Sequence, residues 1–286
     1  MFRALTRSNY NYKRTYYGKL KAVILDWSGT TADKYVIAPA EVFCKVFDKY
    51  GVPISMKEAR LPMGLRKDLH IKEITKIPEV KKRWEQQYGR APNDDDVSNM
   101  FKDFVPMQID CLGKYSTLID GTVDTVDTLK NKYNLKIGST TGFTEEMVDI
   151  LLAEANKQGY YPDSSVAGDS VKHGARPQPH MVYKNLDNLG INPIQSVLKV
   201  DDTVGGVGEG LEAGCWTVGL SRYSNYMDID SLEHEKQLTD EELDYKHNIA
   251  RDILLKSSAH YVVDDITYLP QVIDDINDRL RQGEKP

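Results

Sequence analysis

Cysteine is scarce in this 286-residue chain: Cys44, Cys111 and Cys215 are odd in number and far apart. That spacing excludes a disulfide framework and a multi-cysteine zinc site, and it fits three packing residues in a reducing compartment. No apolar stretch approaches the ~20 residues that span a bilayer, so no membrane partner is expected. Basic excess is missing too. Asp and Glu number 43 against 37 Lys and Arg, a net charge of −6, which gives no general attraction to a phosphate backbone and argues against nucleic acid as a partner. The first nineteen residues hold no Asp or Glu, although Arg3, Arg7, Lys13, Arg14 and Lys19 are among them. Lacking the apolar centre of a secretory signal, they read as an extension, with a composition also compatible with an organellar transit peptide; the expected location is cytoplasmic. Internal repeats are absent. A chain of this length buries a core without staples, as one large domain or two modest ones.

What is present begins at Asp26. The apolar run Ala22-Val23-Ile24-Leu25 ends in that carboxylate, and Trp27-Ser28-Gly29-Thr30-Thr31 follows at once. An acid at the C-terminal edge of a buried strand stands where α/β sheets bind ligands. Helical patterns then run for roughly eighty residues. Ala40 to Phe47 has apolar positions at helical spacing, Ser55-Met56-Lys57-Glu58 has the form of a capping box, and Asn93 or Asp94 caps a long segment through Met100, Phe104 and Ile109. Strands are expected near 135–140, 164–167, 197–202, 215–220 and 260–264, alternating with helices near 123–132, 144–157, 178–189, 204–213, 240–256 and 266–282. The predicted fold is therefore α/β: a Rossmann-like parallel-sheet core, residues 1–34 and 115–286, interrupted after its first strand by an inserted all-helical cap domain, residues 35–114. The acidic stretch from Ser231 to Asp244 reads as a solvated connection into a capped helix.

Three more strand ends are polar. Gly138-Ser139-Thr140-Thr141-Gly142 offers hydroxyls and free N–H groups at a helix start, which suits an anionic oxygen. Ala175-Arg176-Pro177-Gln178-Pro179 sets a guanidinium before a helix that Pro177 would open. Val197 to Val200 ends in Asp201-Asp202-Thr203, a carboxylate pair suited to Mg²⁺. Singly, each has a plainer reading: Asp26 an acidic turn, Thr140 and Thr141 a helix cap, Arg176 a surface ion pair, Asp202 the cap of the next helix. Together, on one edge of a parallel sheet, they supply a nucleophile, an oxyanion donor, a cationic clamp and a metal ligand, the parts of a phosphoryl-transfer site.

The order Asp26, Thr141, Arg176, Asp202 resembles the four motifs of the haloacid dehalogenase-like superfamily. More narrowly, Asp26-Trp-Ser-Gly-Thr-Thr, Arg60-Leu-Pro-Met-Gly-Leu-Arg-Lys67, Gly138-Ser-Thr-Thr-Gly, Gly174-Ala-Arg-Pro and Ala213-Gly-Cys-Trp-Thr-Val-Gly look like its phosphonatase family, from about Lys21 to Gly219. The resemblance implies cleavage of the carbon–phosphorus bond of phosphonoacetaldehyde to acetaldehyde and phosphate, through an imine on Lys67 and an aspartyl phosphate on Asp26. It further implies Mg²⁺ at Asp26, Ser28 and Asp202, phosphate binding by Thr141, Gly142 and Arg176, a substrate pocket touching Met63 and Thr140, and a homodimer joined through the cap.

The chemistry explains why a lysine is needed. C–P cleavage would expel a carbanion, and a protonated imine one carbon away accepts those electrons so that an enamine departs. Imine formation needs neutral amine; Arg60 and Arg66 would lower the pKa of Lys67 if they faced the same cleft. His70, three residues on, shares its helical face and is a candidate proton relay, against the plainer reading of a surface histidine.

Three departures from the family pattern stand out. Ser28 occupies the place of the second carboxylate of superfamily phosphatases, which argues against the alternative of a phosphate-ester phosphatase or phosphomutase. Gly206 replaces the later acid of a Gly-Asp-x-x-x-Asp element, while Asp201 is an extra acid that strand alternation should turn away from Asp202; a non-catalytic binding protein is the third reading. Phe143 stands where tyrosine is common. The run Gly205 to Gly210 fits a dinucleotide fingerprint only loosely, because Gly208 lies six residues past Asp202, and it reads as a flexible helix start.

Overall fold

The computed structural model describes residues 15–286; most of the N-terminal extension, residues 1–14, lies outside the described residues. The first strand, β1 (Ala22–Leu25), is buried at every position, as a run of Ala, Val, Ile and Leu requires when a sheet is covered on both faces. Five helices follow without an intervening strand: α1 (Ile37–Lys49), α2 (Met56–Arg60), α3 (Lys67–Lys76), α4 (Pro78–Tyr88) and α5 (Asp94–Leu112). Ser55 and Asn93 each close a capping box, with Glu58 and Asp96 as the returning acids. Phe43, Phe47, Ile71, Ile74, Trp84 and Phe104 of these helices are buried in an apolar cluster that continues into the sheet through Val23, Leu25 and Leu198.

Strands and helices then alternate: α6 (Thr122–Asn131), β2 (Lys136–Thr140), α7 (Glu145–Lys157), β3 (Ser164–Val166), α8 (His180–Leu189), β4 (Val197–Asp201), α9 (Val204–Ala213), β5 (Trp216–Leu220), α10 (Leu232–Glu235), α11 (Asp240–Leu255), β6 (Tyr261–Val263) and α12 (Leu269–Arg281). All six strands are parallel, in the order β3-β2-β1-β4-β5-β6. Helices α8 and α9 cover one face through Val182 and Ala213, and α6 and α12 cover the other. The direction of winding reverses at β1, so the loops after β1, β2 and β4 open into one crevice at the strands' C-terminal ends. Among the described residues no helix is long and apolar enough to cross a membrane.

Two expectations change here. Helix α8 begins at His180, three residues after Pro177, because Pro177 and Pro179 both lack the N–H and the intervening turn closes through Gln178 N–H to Ala175 O. The glycine run is no flexible start. Gly205, Gly206, Gly208 and Gly210 all lie within α9, where a Cβ on Gly210 would stand 2.6 Å from Thr217 and 2.8 Å from Lys199, so bare backbone lets the helix press onto β4 and β5.

The linker into the insert is unusual. Asp33, Tyr35 and Val36 all have positive φ, at 50°, 68° and 55°, which costs most for β-branched Val36. The Asp33 carboxylate accepts from the N–H groups of Ile37 and Ala38, and Asp33 N–H donates to Thr117 O on the returning chain. Burial pushes its pKa up to about 7 despite those donors.

Candidate active site

The crevice holds a small cavity of about 20 Å³. Asp26, Ser28, Thr141, Gly142, Phe143, Arg176, Asp202 and Thr203 line it from the sheet edge, and Met63, Gly64 and Lys67 from the insert. Each polar residue is delivered by its strand. Asp26 N–H continues the β1 ladder to Val200 O, and its Oδ1 lies 2.5 Å from Arg176 Nη2. Arg176 is buried rather than a surface ion pair; it also donates to Thr140 O and Oγ1 and to Glu209 Oε2. Thr140 thus stands behind the guanidinium and does not line the cavity. The helix after β2 is capped by Thr144, and that after β4 by Thr203, which leaves Thr141 and Asp202 free of capping.

Burial pushes the Asp26 carboxyl up to about 6, with Arg176 countering part of the effect. Asp202 is held well above the usual carboxylate range by burial and by the charges of Asp201 and Asp26. The residues fit a divalent cation. Oxygens of Asp26, Asp201 and Asp202 lie within 4.8 Å of one another, and buried Asp202 Oδ1 has no hydrogen-bond partner. Three buried carboxylates, Asp26, Asp201 and Glu209, pair with Arg176 and Lys199, whereas Asp202 has no cationic partner among the described residues. A hard divalent ion on oxygen ligands would offset the crowding of Asp202 by its acidic neighbours.

On the opposite wall, Lys67 opens α3. Its Nζ lies 4.6 Å from the Phe143 ring centre and 5.8 Å from that of Phe43. Burial first, then Arg176, draw its pKa down to about 8, against the pull of Asp26. Such an amine is about one-tenth neutral at pH 7, against roughly one part in three thousand for an ordinary lysine.

The insert is seated by backbone. A Cβ on Gly64 would come 2.6 Å from Thr203 Oγ1, and one on Gly142 would come 2.5 Å from Leu65 O. This accounts for the glycine in Pro62-Met63-Gly64-Leu65: a φ of 97° and the approach to Thr203 leave no place for a side chain there.

A sequence profile described as haloacid dehalogenase-like hydrolase matches residues 20–214. Phosphonoacetaldehyde hydrolase of Syntrophobacter fumaroxidans is 38% identical over 273 residues, covering 96% of this chain and 98% of the relative. That of Bacillus cereus is 42% identical over 258 residues, 90% and 97% of the two chains. The chain belongs to the phosphonoacetaldehyde hydrolase family. A crystal structure of a phosphonoacetaldehyde hydrolase-like protein from Oleispira antarctica, 35% identical, superposes over 100% of both chains with a TM-score of 0.91.

Within this phosphonoacetaldehyde hydrolase frame several side chains depart from the sequence expectation. Arg60 does not face Lys67: its guanidinium donates to Tyr35 O and Ile229 O, and its own carbonyl accepts from Asn225 Nδ2. Arg66 is paired with Asp68 at 2.7 Å. The depressed lysine is the work of burial and Arg176 instead. His70 is no surface residue. It packs tilted against Phe43, ring centres 3.9 Å apart, with Nε2 2.8 Å from Ala59 O and Nδ1 unpartnered, and burial keeps it neutral. It is absent from the cavity wall.

Asp201 is likewise not turned out of reach. It shares the α9 side of β4 with Lys199, as alternation demands, but the strand ends there and Thr203 N–H and Oγ1 bind Oδ1. Sequence reasoning missed the Lys199–Asp201–Glu209 group and the N–H of Asn225 that donates to Asp202 Oδ2. A lysine inside an otherwise apolar strand was the available signal for the first; nothing in the chain's order signalled the second.

Proposed function

We propose that this chain hydrolyses the C–P bond of phosphonoacetaldehyde to acetaldehyde and phosphate. The observation that carries this reading is that an unpaired, buried amine with a depressed pKa faces a nucleophilic carboxylate across one small cavity. Lys67 Nζ condenses with the aldehyde, releasing water. Asp26 Oδ attacks phosphorus; the C–P electron pair moves into the protonated imine and leaves an enamine, and the phosphoryl group stays on Asp26. Protonation of the enamine carbon and hydrolysis free acetaldehyde and Lys67, and a second water cleaves the aspartyl phosphate. Arg176, Thr141 and the Gly142 backbone hold the phosphonate oxygens. His70, buried one turn from Lys67 and off the cavity wall, steadies α3 through its Nε2 contact with Ala59 O rather than relaying a proton, and Met63 walls the aldehyde. Asp26, Asp202 and the Ser28 carbonyl would hold Mg²⁺, which would supply charge neutralisation at the phosphoryl oxygens.

By the same resemblance we assign a homodimer joined through the helical insert and a cytoplasmic location, in keeping with three free thiols. Ser28, in place of a second acid, supports the C–P reading over a phosphate-ester phosphatase or mutase, since an enamine needs no protonation at a leaving oxygen. The deciding assay compares phosphate release from phosphonoacetaldehyde and from p-nitrophenyl phosphate. Release from the first alone is expected; release from the ester alone would replace this reading with a phosphatase, and release from neither would leave a binding protein.

Gly142→Ala tests the seam. The added methyl meets Leu65 O, so the insert seats imperfectly, and kcat/KM is expected to fall by roughly 10²-fold with little change in Tm. Full activity in that variant would show that the closed contact is dispensable.

A further inference from the structure

An ideal Cβ on Gly206 would lie 1.9 Å from Cγ and from Oδ2 of Asp201, and 2.2 Å from Oδ1. No rotation of the Asp201 side chain relieves this without breaking its contacts. Oδ2 lies 2.7 Å from Lys199 Nζ and 3.2 Å from Arg176 Nη2, and Oδ1 accepts from the Thr203 N–H at 3.0 Å and its Oγ1 at 2.7 Å. The place between the end of β4 and the first turn of α9 therefore has room for one carboxylate. It comes from the strand.

We propose that Asp201 is a positioning residue of this site: it fixes Arg176 against Asp26 and offsets the buried Lys199, and Gly206 is bare because Asp201 occupies its side-chain space. Asp201 touches no reacting atom. Its oxygens are committed to protein donors, whereas Asp202 Oδ1, buried and unpartnered, points to the ligand. The metal part of this inference rests on the function proposed above; the steric part does not.

The inference has a sign that ordinary helix rules contradict. Residue 206 is the third residue of α9, where replacing glycine by an acid favours a helix through propensity and the macrodipole. Crowding by Asp201 reverses the expectation. The test is a cycle of Asp201→Gly, Gly206→Asp and the double variant, read as Tm in EDTA and as the rise in Tm on adding Mg²⁺. Asp201→Gly takes from buried Lys199 its nearer carboxylate and from Arg176 one of three, leaving Glu209 to serve both, and Gly206→Asp drives two carboxylates together; each is expected to lower Tm by about 6–12 °C. In the double variant the acid returns to the same place from the helix, and most of both the EDTA Tm and the Mg²⁺-induced rise should be regained.

Losses that add in the double variant, or a Gly206→Asp protein as stable as the parent, overturn the proposal. If Gly206→Asp alone does not fold, a folded double variant supports it and an unfolded one sinks it. Gly206→Ala separates size from charge: the methyl alone should lower Tm. A parent protein whose Tm does not respond to Mg²⁺ would remove the metal assignment, while the cycle in EDTA still decides the shared carboxylate place.

Discussion

Lys67→Met is expected to abolish phosphate release from phosphonoacetaldehyde, by roughly 10⁴-fold or more, and to make the folded protein more stable at neutral pH. The two effects share one cause. The folded pKa of Lys67 is about 8 against 10.5 for a free lysine, so folding carries a charging penalty on the order of 3 kcal/mol. That penalty is present in full below pH 8, where the lysine is charged in both states, and it vanishes as the pH rises through 10.5. The advantage of the methionine variant should therefore be largest near pH 7 and disappear by about pH 10.5, as measured by urea unfolding at both pH values. Equal stabilisation at both would trace the gain to packing instead. Borohydride with acetaldehyde should inactivate the parent with the adduct on Lys67, and an adduct mapped to another lysine would overturn the imine assignment.

Asp26→Asn is expected to remove phosphate release to a comparable degree while leaving borohydride trapping at Lys67 intact, because imine formation needs the aldehyde and the amine but no attack at phosphorus. Most of the activity surviving in this variant would exclude the aspartyl phosphate. Loss of trapping together with turnover would mean that the insert closes only over a charged sheet edge.

The architecture was legible because β1 and β4 are short, largely apolar runs followed by or ending in a carboxylate, and α7, α9 and α11 each start from a threonine cap. The linker was not: positive φ at Tyr35 and Val36 is imposed by the chain returning at Thr117 and by Arg60 reaching Tyr35 O, contacts between residues distant in sequence. Lys67 could be singled out by its neighbours Pro62 to Leu65, yet the cause of its lowered pKa was misassigned to adjacent arginines, since sequence proximity does not reveal where a guanidinium points. Thr140 and Thr141 are neighbours of the same type, and only the pleat of β2 decides that one holds Arg176 while the other faces the cavity. Position 206 looked like a loss until the Asp201 carboxylate was found in the same space.

Because Gly142 meets the Leu65 carbonyl and Gly64 meets the short Thr203 side chain, neither glycine with a side chain of its own, the cavity walls hold few flexible groups that a ligand could push aside. A bulkier phosphonate would find its aldehyde held away from Lys67 and its phosphorus away from Asp26 at once. On the mechanism proposed above, discrimination would fall on the length of the molecule, and a substrate one carbon too long is expected to be turned over poorly even if every hydrogen bond to its phosphonate is made.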